Sequence, residues 1–352
     1  MFLYWLACAV PSQSLVAEVT TSSADSPTDT SVTIEDSAIE DADPVTFDVG
    51  LLNADTWSSS AQRLFIKVWY PANNADGSPY VYGWTGFQSV GAAQEDLTAV
   101  CTEPRPLIVH SHGNASVNWE LYLLHEHLAA NGYIVVAPDH PGNTFYANTT
   151  LTAALTVQRP QDIRDTVDWI FEQSRNPSHP LFGCVDPDAG YTASGYSFGG
   201  YTAYMLAGAL ANDAFGTPSI DMSDARVTAA MVYAPWSVFI LDDGTQALTV
   251  PVLSLVSAND LTVGNDGDVL FSSVTSAPRA HGRFETGGHF TFAPQYCPYL
   301  PSGNGCGSGN IDPSRAMGVI QAATVWYLNH LRQIDTAPVS QTDEFQWQFW
   351  TD

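Results

Sequence analysis

Tyr191-Thr192-Ala193-Ser194-Gly195-Tyr196-Ser197-Phe198-Gly199-Gly200 decides how this chain reads. The first four residues read as a strand leading into Gly195. From Gly199 to Leu210, small and apolar residues follow one another as they do in a tightly packed helix. A serine two positions from a glycine on each side, between a strand and a helix, implies a very tight turn. The serine backbone is strained there, and its neighbours have no room for side chains. Gly195 and Gly199 supply that room, and Gly200 lets the helix lie close to the strand. Such a turn holds a hydroxyl out from the end of a sheet, ready to react. The alternative is an ordinary glycine-rich turn, and the rest of the chain has to discriminate between the two.

Outward from this turn, short apolar runs alternate with helical patterns. Strands are expected at Leu64 to Tyr70 (ended by Pro71), Pro106 to Val109, Tyr133 to Ala137 (stopped by Pro138), Val227 to Tyr233 and Pro251 to Val256. Helices are expected from Trp119 to Ala130, from Pro160 to Gln173 with the proline near the start, and after Asp312-Pro313. Strands that alternate with helices imply a mostly parallel sheet covered on both faces, an α/β architecture. Residues 1–17 resemble a secretory leader without a basic start, and Cys8 allows a lipoprotein anchor. Residues 18–43 are small, polar and acidic and read as a disordered linker. The catalytic domain is assigned to 44–335. The aromatic tail 336–352 alternates at Phe345, Trp347 and Phe349, as a docked strand would.

A serine hydroxyl is inert at neutral pH unless a base takes its proton, and the base needs an acid to orient it. Asp260 follows the strand ending at Val256, where such an acid belongs. Asp242 and Asp243 precede that strand, and Asp266 and Asp268 lie further along a glycine-containing loop. His289 follows Gly287-Gly288, which let a loop carry an imidazole over the serine. His281 stands before the strand-like segment around Phe284, and His125, His127 and His330 fall in helices. The order Ser197, Asp260, His289 is serine, acid, histidine. Donors for a developing oxyanion are expected at the backbone N–H groups of Phe198 and Asn114, with His112 supporting the loop. Trp236 and Tyr196 are candidate substrate-binding residues.

These motifs resemble a known group. His110-Ser111-His112-Gly113, then Gly132 through Pro138-Asp139-His140-Pro141-Gly142-Asn143-Thr144, the serine turn, and Gly288-His289-Phe290 look like the platelet-activating-factor acetylhydrolase and predicted dienelactone hydrolase group. The resemblance implies an α/β-hydrolase fold and a serine esterase acting on short acyl esters through an acyl-enzyme. Dienelactone hydrolases proper use cysteine where Ser197 stands, so lactone hydrolysis is not expected. A second, partial resemblance is to cutinase-like polyester hydrolases, carried by Ala234-Pro235-Trp236 and Asn259-Asp260, which makes a polymeric ester the alternative substrate. A non-catalytic binding module on the same fold is the rival of another class. Such modules normally lose the nucleophile or the base, and both stand here.

Composition narrows the partners. The net charge is −26, and Lys67 is the only lysine, so nucleic acid and anionic membranes are repelled. The acidity keeps the chain soluble and also suits high salt. No apolar run long enough to span a bilayer follows the N-terminus. Cysteines number five. Removing a leader with Cys8 leaves an even set, which in a secreted or periplasmic protein implies two disulfides with three possible pairings. Cys297 and Cys306 flank a Pro/Gly-rich loop and can close it, leaving Cys101 for Cys184. No cysteine or histidine pair has zinc spacing, and Asn265-Asp266-Gly267-Asp268 lacks the EF-hand pattern, so neither metal nor cofactor is expected. Asn114-Ala115-Ser116 and Asn148-Thr149-Thr150 match the glycosylation pattern. A monomer is expected.

Overall fold

A computed structural model describes residues 47–352 apart from 74–75, 85–86, 148–151, 213–220 and 238. Contacts divide the chain into Met1–Glu40 and Asp41–Asp352, and the described residues belong to the second unit. The expected leader, Cys8, the linker and the Asn148 pattern lie outside the described residues.

Strands β1 (Asp48–Trp57), β2 (Arg63–Ala72), β3 (Ser78–Trp84) and β4 (Phe87–Glu95) come first. Alternation follows: β5 (Leu107–Ser111), α1 (Tyr122–Ala130), β6 (Ile134–Pro138), α2 (Ala153–Arg175), β7 (Tyr191–Tyr196), α3 (Phe198–Leu206) and β8 (Val227–Tyr233). Then come β9 (Val252–Ser257), α4 (Asp266–Ser272), β10 (Arg279–Phe284), α5 (Pro313–Leu331) and β11 (Phe345–Trp350). All strands join one sheet in the order β11-β10-β9-β8-β7-β5-β6-β2-β1-β4-β3. From β6 to β10 the neighbours run parallel, and antiparallel β2 and β11 continue the sheet on either side.

Alternation of side chains explains the layers. In β6, Ile134 and Val136 join one apolar cluster, while Val135 and Ala137 join the other. β8 divides in the same way, with Ala230 and Val232 on one side and Met231 and Tyr233 on the other. Strands that are buried on both faces must be covered twice. Helices α1 and α5 cover the face of Val135, and α2, α3 and α4 cover the face of Ile134. This is the α/β-hydrolase fold.

Three expectations are corrected. Pro71 does not end β2, because it pairs with Val49 of β1. On its other side β2 meets β6 only from Ile66 to Trp69, so the missing proline N–H costs no ladder bond there. Pro160 lies inside α2 rather than near its start. The carbonyl four residues earlier, on Thr156, accepts from the Tyr201 hydroxyl at 3.3 Å, which compensates for the absent N–H. Asp266 and Asp268 are not in an open loop but in the first turn of α4, where carboxylates suit the helix dipole.

The structure contains the bonds Cys101–Cys184 and Cys297–Cys306. Among the described residues no helix is long and apolar enough to cross a membrane, and no group of three His, Cys, Asp or Glu residues converges as metal ligands would.

Besides His289, four imidazoles are buried among the described residues: His110, His112, His125 and His140. Burial pushes His110 down to about 3, and the other three well below the ordinary value. Below pH 6.5 the unfolded chain binds protons that the folded chain refuses, so stability falls as the pH drops from there to about 3. Glu120 and Asp139, pushed up by burial to about 8 and about 6, act oppositely. Their contribution is complete at low pH and lost as the pH rises through those values, so near pH 4 the imidazoles act unopposed. Cooperative loss of near-UV circular dichroism is expected at a midpoint below about pH 4.5, with a slope of up to about 1.4 kcal/mol per pH unit for each imidazole. Among the described residues, His125 has no hydrogen-bond partner on either ring nitrogen. His125→Phe should therefore move the midpoint to lower pH, and an unchanged midpoint would count against this account.

Candidate active site

Ser197 sits between β7 and α3 with φ 56 and ψ −119, a conformation rare for any residue but glycine. The surrounding glycines show why the turn closes. A Cβ on Gly195 would stand 1.9 Å from the Gly199 carbonyl oxygen, and one on Gly199 would stand 1.8 Å from that of Ser111. A Cβ on Gly200 would meet Pro235 at 2.6 Å. Ser197 is therefore wedged among the ends of β5, β7 and β8, and its N–H donates to the Tyr233 carbonyl at 3.0 Å. β5 has β6 on one side and β7 on the other. The serine thus stands where successive connections leave the sheet in opposite directions, a natural crevice at the carboxyl ends of the strands.

Asp260 and His289 come from the loops after β9 and β10, which are neighbours in the sheet. His289 donates through Nδ1 to Asp260 Oδ2 at 2.7 Å, and both side chains are buried. The other carboxylate oxygen accepts from the Thr262 and Val263 N–H groups at 2.8 and 3.0 Å. A carboxylate fixed in this way holds the imidazole in one tautomer and leaves Nε2 as the proton acceptor. The rival residues are engaged elsewhere. Asp266 accepts from Ser237, and Asp268 accepts from His281, whose ring stacks on Phe271. His330 lies in α5 against Trp326.

The backbone donors separate by their partners. The N–H of Gly113 is taken by the Glu120 carboxylate. Among the described residues, the N–H groups of Asn114 and Phe198 meet no acceptor. Gly113 lies within reach of the serine, since a Cβ there would stand 3.4 Å from that of Ser197. His112 locks the loop: Nδ1–H donates to the Gly113 carbonyl at 2.7 Å, and Nε2 accepts from the His140 N–H at 3.1 Å. Only the neutral ring can do both, in accord with its lowered pKa.

Of the aromatic side chains around the serine, Tyr196 departs from its expected surroundings. Tyr196 is buried beneath His289, with ring centroids 4.9 Å apart, and its hydroxyl donates to the His289 carbonyl at 3.0 Å. It supports the histidine from below instead of facing a cleft. The Phe198 ring is buried under the elbow, so only its backbone faces the serine. Trp236 is half-buried, and its N–H donates to the Ser197 carbonyl at 3.0 Å, which sets it beside the serine.

Sequence reasoning missed the group that holds the whole floor together. Arg159 is fully buried. Its guanidinium donates to the His112 carbonyl, to Asn143 Oδ1 at 2.5 Å and to Ser111 Oγ at 3.2 Å. It also covers the Phe198 ring at 4.5 Å. Burial lowers its pKa to about 9, and the nearby Glu120 and Asp162 carboxylates oppose that shift, so it stays charged at neutral pH. Asn143 passes the constraint on by donating to Asn114 Oδ1 at 2.9 Å. His140 joins Ser111 to Asp162, 2.9 Å from each. The available signal was an arginine in the apolar face of a helix, in a chain with only eleven basic residues.

The chain matches no protein-family model and no curated protein. Among solved structures it is similar to the ferulic acid esterase from Streptomyces cinnamoneus, with a TM-score of 0.62 and 20% identity over 88% of this chain and 98% of that one. At this identity the likeness speaks to the fold, a mostly parallel sheet flanked by helices.

Arg159→Met should cost about 3–5 kcal/mol, because the His112 carbonyl, Asn143 Oδ1 and Ser111 Oγ lose a buried donor together. The urea midpoint measures this. Arg159→Lys should recover only part of the loss, since one ammonium cannot span three acceptors in a plane. A lysine variant as stable as the parent would show that the planar geometry is immaterial.

Proposed function

We propose that this chain is a serine carboxylesterase. Ser197 attacks the ester carbonyl while His289 Nε2 takes its proton, and Asp260 holds the imidazole and stabilises its charged form. The N–H groups of Phe198 and Asn114 receive the oxyanion. His289 returns the proton to the departing alcohol, leaving an acyl-enzyme, and water, activated by the same imidazole, releases the acid. The reading rests above all on the 2.7 Å contact between His289 and Asp260, on loops beside a serine held at φ 56. The similar structure named a ferulic acid esterase supports it.

For the substrate we infer a short acyl group. The resemblance to acetyl-removing esterases motivates this, and Trp236 beside the serine would bound the acyl site. A second reading is favoured by the residues that rim the same end of the sheet. Phe145 and Tyr146 follow β6, and Leu261 follows Asp260; their exposures are 39, 61 and 78%. An aromatic acyl group, or an aromatic polyester, would stack on Trp236 and lie across this apolar rim.

Ser197→Ala should abolish hydrolysis of p-nitrophenyl butyrate while the circular dichroism spectrum is kept. Retained turnover would exclude Ser197 as nucleophile. Asp260→Asn should lower kcat by about 10³ to 10⁴-fold, through the wrong tautomer and the lost support for imidazolium. Across a p-nitrophenyl series, kcat/KM should fall from butyryl to dodecanoyl in graded steps, since each methylene is worth only about 1–3 kcal/mol. A rise along the series would defeat the short-chain reading. Faster turnover of a feruloyl ester, or soluble products from an aromatic polyester film, would favour the second.

A further inference from the structure

The loop closed by Cys297–Cys306 presses directly on the residues that flank the candidate dyad, and one side chain carries the contact. Gly303 and Cys306 pair with each other, the N–H of Gly303 donating at 2.7 Å and that of Cys306 at 3.0 Å, so the chain turns back sharply between them. Asn304 occupies this turn at φ 51, left-handed space that asparagine tolerates better than most residues. From there it reaches both loops at once. Its Oδ1 accepts from the N–H of Leu261 at 2.8 Å and from the N–H of His289 at 2.9 Å. Its Nδ2 donates to Thr262 Oγ1 at 2.9 Å, and its main-chain carbonyl accepts from the Phe290 N–H at 2.9 Å. The loops are in close contact here. A Cβ on Gly288 would stand 2.2 Å from the Asn304 carbonyl carbon, and one on Gly305 would stand 2.5 Å from the Thr291 nitrogen.

We propose that Asn304 is a positioning residue that sets the Asp260–His289 geometry by clipping the loop after β9 to the loop after β10. This rests on the esterase reading of the same site. The two loops leave adjacent parallel strands and are joined near the strand ends, where the Ala258 and Asn259 N–H groups donate to the Phe284 and Gly287 carbonyls at 2.8 and 3.1 Å and Asn259 Nδ2 donates to the Glu285 carbonyl at 3.2 Å. Asn304 adds the link at the residues just beyond. Asp260 Oδ1 is tied only within its own loop, to Thr262 and Val263. The Asn304 oxygen is shared between the residue after the carboxylate and the imidazole's own backbone, so one atom ties the two together on the far side of the Asp260–His289 contact. The disulfide pins the turn that presents it, across a sequence separation of only nine. Asn304 touches neither the serine nor a substrate position.

The test uses Asn304→Gly, which keeps the left-handed backbone free and removes only the side chain. kcat should fall roughly 10- to 100-fold, the effect of small misplacements, with KM within about twofold. Weaker support from Asp260 makes imidazolium less stable, so the acid limb of the kcat/KM profile should move to lower pH. Asn304→Asp keeps an acceptor for both N–H groups and adds a charge. It should restore most of kcat and move the limb to higher pH. A low-field proton resonance from His289 Nδ1–H should be present in the parent and in the aspartate variant, and lost or broadened in the glycine variant. An unmoved limb and an intact resonance in Asn304→Gly would overturn the proposal, as would a loss of rate matched by a fall in melting temperature with the limb unmoved. Turnover retained in Ser197→Ala would instead bring down the esterase reading, and the resonance would still report on the clip.

Discussion

Among the described glycines, Gly199 has the least room: a Cβ there would stand 1.8 Å from the Ser111 carbonyl oxygen. That contact joins the start of α3 to the end of β5, and the rest of the site is arranged around it. It forces Ser197 into left-handed space and turns the carboxyl end of β7 into a pedestal. It also brings the loop of His112, Gly113 and Asn114 alongside the serine. Strain of this kind costs on the order of 1–3 kcal/mol and persists only when the surroundings hold it in place. Here the support is the stack of parallel strands, buried on both faces.

Beneath that contact lies a polar floor, unusual in so apolar a core. Arg159, Glu120, Asp162 and the imidazoles of His112 and His140 share one hydrogen-bonded network. Such a network adds little net stability compared with a hydrophobic replacement, because every charge was first taken out of water. What it provides is direction. Each carbonyl of the His112–Gly113 turn is held by a donor, the Gly113 N–H is occupied by Glu120, and the Asn114 N–H is left for something else. A purely apolar floor would pack equally well and would not choose which N–H points outward.

Much of this was legible in the sequence, for local reasons. The glycine spacing around Ser197 states a backbone requirement, and the apolar runs state which strands are buried on both sides. The His289 and Asp260 positions followed from where each stands after a strand. The boundaries that failed did so because tertiary partners were needed. Pro160 sits inside α2 because Tyr201 accepts the role of the missing N–H, and Pro71 stays in β2 because β6 is too short to miss a donor there. β1, β3 and β4 went unread: their side chains alternate between core and solvent without a long apolar run, and their stability comes from pairing with distant residues.

The sequence by itself determined the class of fold, the serine turn and the order of the three candidate residues, since each depends on residue type and short-range spacing; it left three disulfide pairings possible, and the structure contains one of them. Only the tertiary structure decided which groups meet. It set Tyr196 under the imidazole, buried Arg159 beneath the loop of His112, Gly113 and Asn114 and brought Asn304 across to clip two loops together. These contacts join residues far apart in the chain, through distances of about 3 Å and fixed angles, and no periodicity along the chain records them. A hydrogen bond between distant loops is a property of packing, and packing exists only once the sheet has formed.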